Sequence, residues 1–258
     1  MREFLLAATA VLAITSSSHA MDMSAFQGKL YATAWFGGAV SVVDVAARKM
    51  TVEVPVGVQN HNIILNPDQT RAWVTNTNDG TVSVIDTATD KVIKTIAVGV
   101  GPRHTFFSPD GLQAYVTNEF DDTLSLIDTS SMTAVATVKV GMMPHFPMVV
   151  GDRIFVTDFG GRSVTVVNRT TRQVESTIRV GAGPLGAGAT RDGTRAYVAC
   201  HNANNVAVID AKELRSSQKY QPSQDRSKSR SHPIRNSLMS RVTDAELCKR
   251  SIWRRTKS

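Results

Sequence analysis

The chain has 258 residues, 42% of them hydrophobic, and carries 29 Lys and Arg against 22 Asp and Glu, a formal net charge of +7. That length suffices for a sizeable buried core. The charge is lopsided: residues 1–210 hold 16 basic and 18 acidic side chains, the last 48 hold 13 and 4, so the nucleic-acid reading that a basic chain invites finds no support before the tail.

In chain order, residues 1–20 read as a signal peptide. Arg2 gives a positive start, Phe4–Ile14 is an apolar run too short to span a bilayer, and Ser18-His19-Ala20 offers the small residues a signal peptidase reads. A buried strand or an uncleaved anchor is the alternative for this stretch. No later apolar run is long enough for a membrane helix, so the expectation is an exported protein, periplasmic or secreted, with no membrane span.

From Lys29 one pattern returns five times. It reads KLYATAWFGGAVSVVD at Lys29–Asp44, RAWVTNTNDGTVSVID at Arg71–Asp86 and QAYVTNEFDDTLSLID at Gln113–Asp128. RIFVTDFGGRSVTVVN follows at Arg153–Asn168 and RAYVACHNANNVAVID at Arg195–Asp210. The leading aromatics Tyr31, Trp73, Tyr115, Phe155 and Tyr197 are spaced 42, 42, 40 and 42 residues apart, which marks a repeat protein. Each copy predicts four short strands. In the second these are His61–Asn66, Arg71–Asn76, Thr81–Asp86 and Lys91–Ala97, rich in Val, Ile and Thr. Asp79-Gly80 and Asp110-Gly111 are hairpin signals, because Gly takes positive φ at low cost. The third strand (VSVID, LSLID) is apolar on both faces, as a strand covered on two sides would be. Four strands in about 42 residues predict a propeller blade.

The pattern YVTN-x-x-D-x-T-[VL]-S-[VL]-ID, with a VG-x-x-P connection after it, resembles the YVTN family of β-propeller repeat proteins over roughly Gly28 to Lys212. The resemblance implies an all-β ring of four-stranded antiparallel blades, usually seven, in secreted or periplasmic proteins. It implies less about activity. Relatives include surface-layer and scaffold proteins, lactonases, haem-binding propeller domains of nitrite reductases and propellers that accompany quinone-cofactor dehydrogenases. A fold so widely shared does not assign a function.

The expected plan is a leader (1–20), propeller repeats (21–212) and a basic, disorder-like tail (213–258). Four complete blades are predicted, with a partial first unit, Lys29–Val56, that lacks an obvious first strand. The last copy loses its fourth strand after Asp210, so the reading is an arc of about five blades from a larger ring. Periodicity stops abruptly after Leu214 in a Ser-, Arg- and Gln-rich stretch. It reads as a frameshift or truncation product rather than an evolved domain, with a short helix at Asp244–Trp253. An unpaired terminal blade would invite edge-to-edge self-association.

The connections that enter each new blade align His61, Arg103, His145 and Leu185, with His104 one step beyond Arg103. His61, Arg103, His104 and His145 are therefore the candidate ligand-binding residues, gathered at one end of the blades for an anion, carboxylate, metal or haem. Channel mouths are wet and polar in any case, and Leu185 breaks the series. Met142, Met143, His145 and Met148 form a soft donor cluster of the kind that suits copper(I), although Met is also common core filler. Asp121 and Asp122 read as turn residues. The only cysteines are Cys200 and Cys248, and no C-x-x-C-H is present for covalent haem. No metal site, catalytic group or cofactor is assigned. The expectation is a non-catalytic exported binding or scaffold module for a protein or small anionic ligand. The alternatives are a redox accessory holding haem or copper and a lactonase-like hydrolase.

Overall fold

In the computed structural model, residues 8–11 and 28–220 are described. They form five four-stranded antiparallel sheets, each a blade in which neighbours in sequence are neighbours in the sheet. Blade 1 is β1 (Ala8–Val11), β2 (Lys29–Ala34), β3 (Ala39–Asp44) and β4 (Lys49–Pro55). Blade 2 is β5 (Asn60–Leu65), β6 (Arg71–Asn76), β7 (Thr81–Asp86) and β8 (Lys91–Ala97). Blade 3 is β9 (Pro102–Phe107), β10 (Gln113–Asn118), β11 (Thr123–Asp128) and β12 (Thr133–Lys139). Blade 4 is β13 (Pro144–Val150), β14 (Arg153–Asp158), β15 (Ser163–Asn168) and β16 (Val174–Arg179). Blade 5 is β17 (Pro184–Ala189), β18 (Arg195–Cys200), β19 (Asn205–Asp210) and β20 (Arg215–Tyr220). The fold is all-β, of the β-propeller class. The chain divides into two compact units, residues 1–121 with 125–137, and residues 122–124 with 138–258.

Two expectations are corrected here. The first unit does have a first strand: Ala8–Val11 pairs antiparallel with Tyr31–Ala34 of β2. This segment falls inside the predicted leader, where a strand was the alternative. The last copy also has its fourth strand, because Arg215–Tyr220 pairs with β19 from Val206↔Tyr220 to Asp210↔Arg215. The physical reason lies in the burial of fourth strands generally. β4, β8 and β16 each bury one side chain, Val54, Ile96 and Ile178 respectively. A fourth strand therefore needs backbone pairing far more than apolar composition, and RSSQKY supplies the pairing. Cys248, Asp244–Trp253 and the rest of the tail lie outside the described residues.

Packing explains the doubly apolar third strand. In the first unit, one core cluster joins Val40, Val42 and Tyr31 of blade 1 to Ala72, Val74 and Ile85 of blade 2. The opposite face of blade 2, through Trp73, Val82 and Val84, packs on Phe107, Val116 and Ile127 of blade 3. Adjacent residues of β7 thus serve two cores, as the period of two in a strand requires. Trp73 meets Phe107 edge to face at 5.4 Å. In the second unit, Met148, Phe155, Val164 and Val166 pack on Ala196, Val198, Ala207 and Ile209 in the same way. Each fully buried Val or Ile contributes about 1.5–3 kcal/mol.

The closing residue of each repeat has a local task. Asp86 Oδ1 accepts the N–H groups of Ala88 (3.1 Å) and Thr89 (2.8 Å). Asn168 does the same for Thr170 and Thr171, and Asp210 for Lys212 and Glu213. The hairpin then closes through a left-handed residue, Asp90, Arg172 or Leu214. Gly80 and Gly111 have φ of 61° and 73°, the positive values the hairpin signals predicted.

Candidate functional site

The entry to each new blade is built alike. A left-handed residue (Gln59, Gly101, Met143 or Gly183) precedes the first strand. The strand then bulges. Between the pairs Asn60↔Asn76 and Ile63↔Val74, His61 and Asn62 stand opposite Thr75 alone. Arg103 and His104 stand likewise opposite Thr117. His145 is the extra residue in β13, and Leu185 in β17. A bulge bends the strand and re-aims its side chains, so all four predicted positions fall where the backbone departs from regular pairing.

The Thr of the repeat holds the bulge. Thr75 Oγ1 accepts the N–H of Asn62 at 3.0 Å and donates to the carbonyl of Arg103 at 2.8 Å. Thr117 Oγ1 accepts the N–H of His104 at 3.2 Å, and Thr157 Oγ1 that of Phe146 at 3.0 Å. Thr77 donates to the carbonyl of Pro102 at 3.0 Å. The next residue ties the second strand to the third: Asn76 and Asn118 donate Nδ2 to Ser83 and Ser125 Oγ at 2.9 Å each. The Gly of each connection passes against these side chains. A Cβ on Gly99 would lie 2.5 Å from Asn118 Nδ2 and from Asp121 Oδ2.

In the first unit this scaffold brings three predicted residues together: His61, Arg103 and His104. The His61 and His104 rings meet edge to face, 5.0 Å between centroids. Sequence reasoning missed three companions. Trp35, in the β2–β3 turn, packs on His61 at 4.4 Å between centroids. The Arg103 guanidinium lies 5.3 Å from the Trp35 ring and 5.7 Å from that of Phe120, in the β10–β11 turn. Glu119, beside Phe120, accepts a hydrogen bond from Arg103 Nε in an ion pair whose side chains are 16% and 7% exposed. Burial lowers the Arg103 pKa, but a guanidinium keeps its charge. The missed residues carry a signal only in hindsight, as an aromatic and an acid in the turns before the third strands.

His145 belongs to the second unit. Its Nδ1 lies 3.2 Å from the carbonyl of Leu185, and its ring is 6.4 Å from that of Phe159. Met148, part of the soft donor cluster, is 3% exposed and packed in that unit's core. The turn acids are used locally: Asp79 and Asp121 accept the N–H groups of Val58 and Val100 at 2.7 and 2.9 Å, and Asp122 that of Met143 at 2.8 Å. Cys200, buried, takes the place of the strand-end Asn. Among the described residues no helix is long and apolar enough to cross a membrane.

Repeated four-stranded antiparallel blades, each of blades 2 to 5 entered through a bulged first strand, define a β-propeller repeat protein. The chain belongs to the choice-of-anchor I domain family, which matches residues 6–222, and this membership marks a protein of the cell surface or exterior. Among solved structures it is similar to hydrazine synthase of Kuenenia stuttgartiensis, at 26% identity and a TM-score of 0.63, over 72% of this chain and 60% of that one. It is also similar to dihydro-heme d1 dehydrogenase NirN in complex with DHE, at 15% identity and a TM-score of 0.50, over 76% of this chain and 55% of that one. The second likeness shows the fold alone, and the chain spans 60% or less of either structure's length. No curated protein matches.

Proposed function

We propose that this is a non-catalytic binding module of a periplasmic or secreted protein. Its ligand or partner binds at the Trp35, His61, Arg103 and His104 cluster. The observation that carries this reading is the assembly of two imidazoles, a guanidinium and an indole by separate bulges and turns of three blades. These groups recognise rather than transform, since the adjacent carboxylate, Glu119, is committed to Arg103 Nε. Two of the three tryptophans make the test self-controlled, because Trp35 lies at the site and Trp73 is fully buried in the core. When the 15N-labelled protein is titrated with low-molecular-mass fractions of periplasmic extract, the active fraction should shift the Trp35 indole N–H and leave Trp73 in place. Turnover of a lactone that is lost in His61→Ala would instead identify an enzyme.

The neighbouring His61 and His104 rings favour a second reading as a redox accessory. Imidazole nitrogens are haem ligands, and the donors present suit that group. Added haem should then give a Soret band that His61→Ala and His104→Ala each displace. An unchanged free-haem spectrum rejects this reading.

A further inference from the structure

We infer that the Arg103 site receives an organic monocarboxylate whose apolar body rests on the exposed rings and Val side chains around it; the inference rests on the binding-module reading. Arg103 is a pre-set fork. Its Nε is taken by Glu119, and Trp35 and Phe120 lie against the guanidinium. Its two terminal nitrogens have no hydrogen-bond partner among the described residues, and the side chain is still 16% exposed. That edge offers two parallel N–H donors, the arrangement that matches the two oxygens of a carboxylate. Glu119 already offsets the guanidinium charge, so a single negative charge fits better than a phosphate dianion.

The surroundings select the rest of the ligand. Phe36, Val58, Val100 and Phe120 are 87%, 52%, 58% and 60% exposed. All four lie in the turns before third strands or the connections before first strands, the segments that hold the site. Exposed apolar side chains gathered at one end of a unit mark an interaction surface. Val58 and Val100 are held there by Asp79 and Asp121, which bind their N–H groups, so the loops present these side chains on a fixed backbone. Two open clefts in the same unit, along Thr51–Pro55 and around Gly57 and Ser83, take in neither Arg103 nor either histidine.

Calorimetric titration with 2-naphthoate, 2-naphthamide, acetate and inorganic phosphate separates charge from body. Naphthoate should bind at least tenfold more tightly than each of the others. Arg103→Lys, which keeps the charge and loses the fork, should weaken naphthoate at least tenfold. Phe36→Ala and Phe120→Ala alter exposed rings that the fold does not need, and each should weaken it about threefold. Equal affinity for naphthoate and naphthamide, tighter phosphate binding, or indifference to both Phe variants would overturn the inference. If none of the four probes binds but an extract fraction still shifts Trp35, the carboxylate assignment fails and the binding-module reading survives. If nothing shifts Trp35, both fail.

Discussion

Asp158→Asn should stabilise the protein at neutral pH and leave it unchanged in acid. Asp158 occupies the position of Asn76 and Asn118 but is fully buried as an acid. Its Oδ2 accepts hydrogen bonds from Ser163 and Thr165 at 2.8 Å each, while Oδ1 has no partner among the described residues. Burial dominates those two bonds and pushes its pKa from 3.8 to about 6. Between those values the unfolded carboxyl is ionised while the folded one keeps its proton. The folded state then binds the extra proton, so stability falls as pH rises through this window. Below 3.8 both states are neutral; above 6 both are ionised and the loss is complete. That rise corresponds to about 3 kcal/mol. An amide removes that loss, and Asn76 and Asn118 show the bonds it makes to the facing hydroxyl. Urea unfolding of both proteins from pH 3.5 to 8 gives the difference curve. It should rise from near zero to about 2–3 kcal/mol in favour of Asn by pH 7. A flat curve, or a variant less stable at pH 7 than at pH 4, would refute the argument.

Three further outcomes follow from the scaffold. Thr75→Val keeps the shape and removes the hydroxyl that serves Asn62 and Arg103, so urea unfolding should show a loss of about 1–3 kcal/mol, with the His61 and His104 ring signals displaced. Tyr31→Phe removes a 2.6 Å hydrogen bond to Asp90, which also pairs with Lys29 at 2.7 Å. Thermal unfolding should report about 1–2 kcal/mol of lost stability. Gly99→Ala places a Cβ against Asn118 and Asp121 and should cost about 1–3 kcal/mol as overpacking; unchanged denaturation would show that the connection can move aside.

Much of the architecture was legible because it is local. Arg71–Asn76, Thr81–Asp86 and Lys91–Ala97 occur at the predicted bounds. Alternation, hairpin glycines and the Asp or Asn that closes each third strand act within a few residues. The terminal strands escaped because one segment resembles a leader and the other is polar, whereas a fourth strand requires little beyond backbone pairing. The site divides along the same line. His61, Arg103 and His104 could be placed through the repeat, since the connection before each first strand recurs, and the structure puts a bulge at that place in blades 2 to 5.

Trp35, Glu119 and Phe120 could not be found that way. They come from turns of blades 1 and 3, and only packing against blade 2 brings Trp35 beside His61 and Arg103. Sequence by itself determined the repeat and the strand order within each blade, because these depend on neighbours along the chain. Tertiary structure alone decided which side chains share a site, and that Asp158 is an acid held away from water. Those outcomes depend on contacts between segments tens of residues apart, which no local pattern encodes.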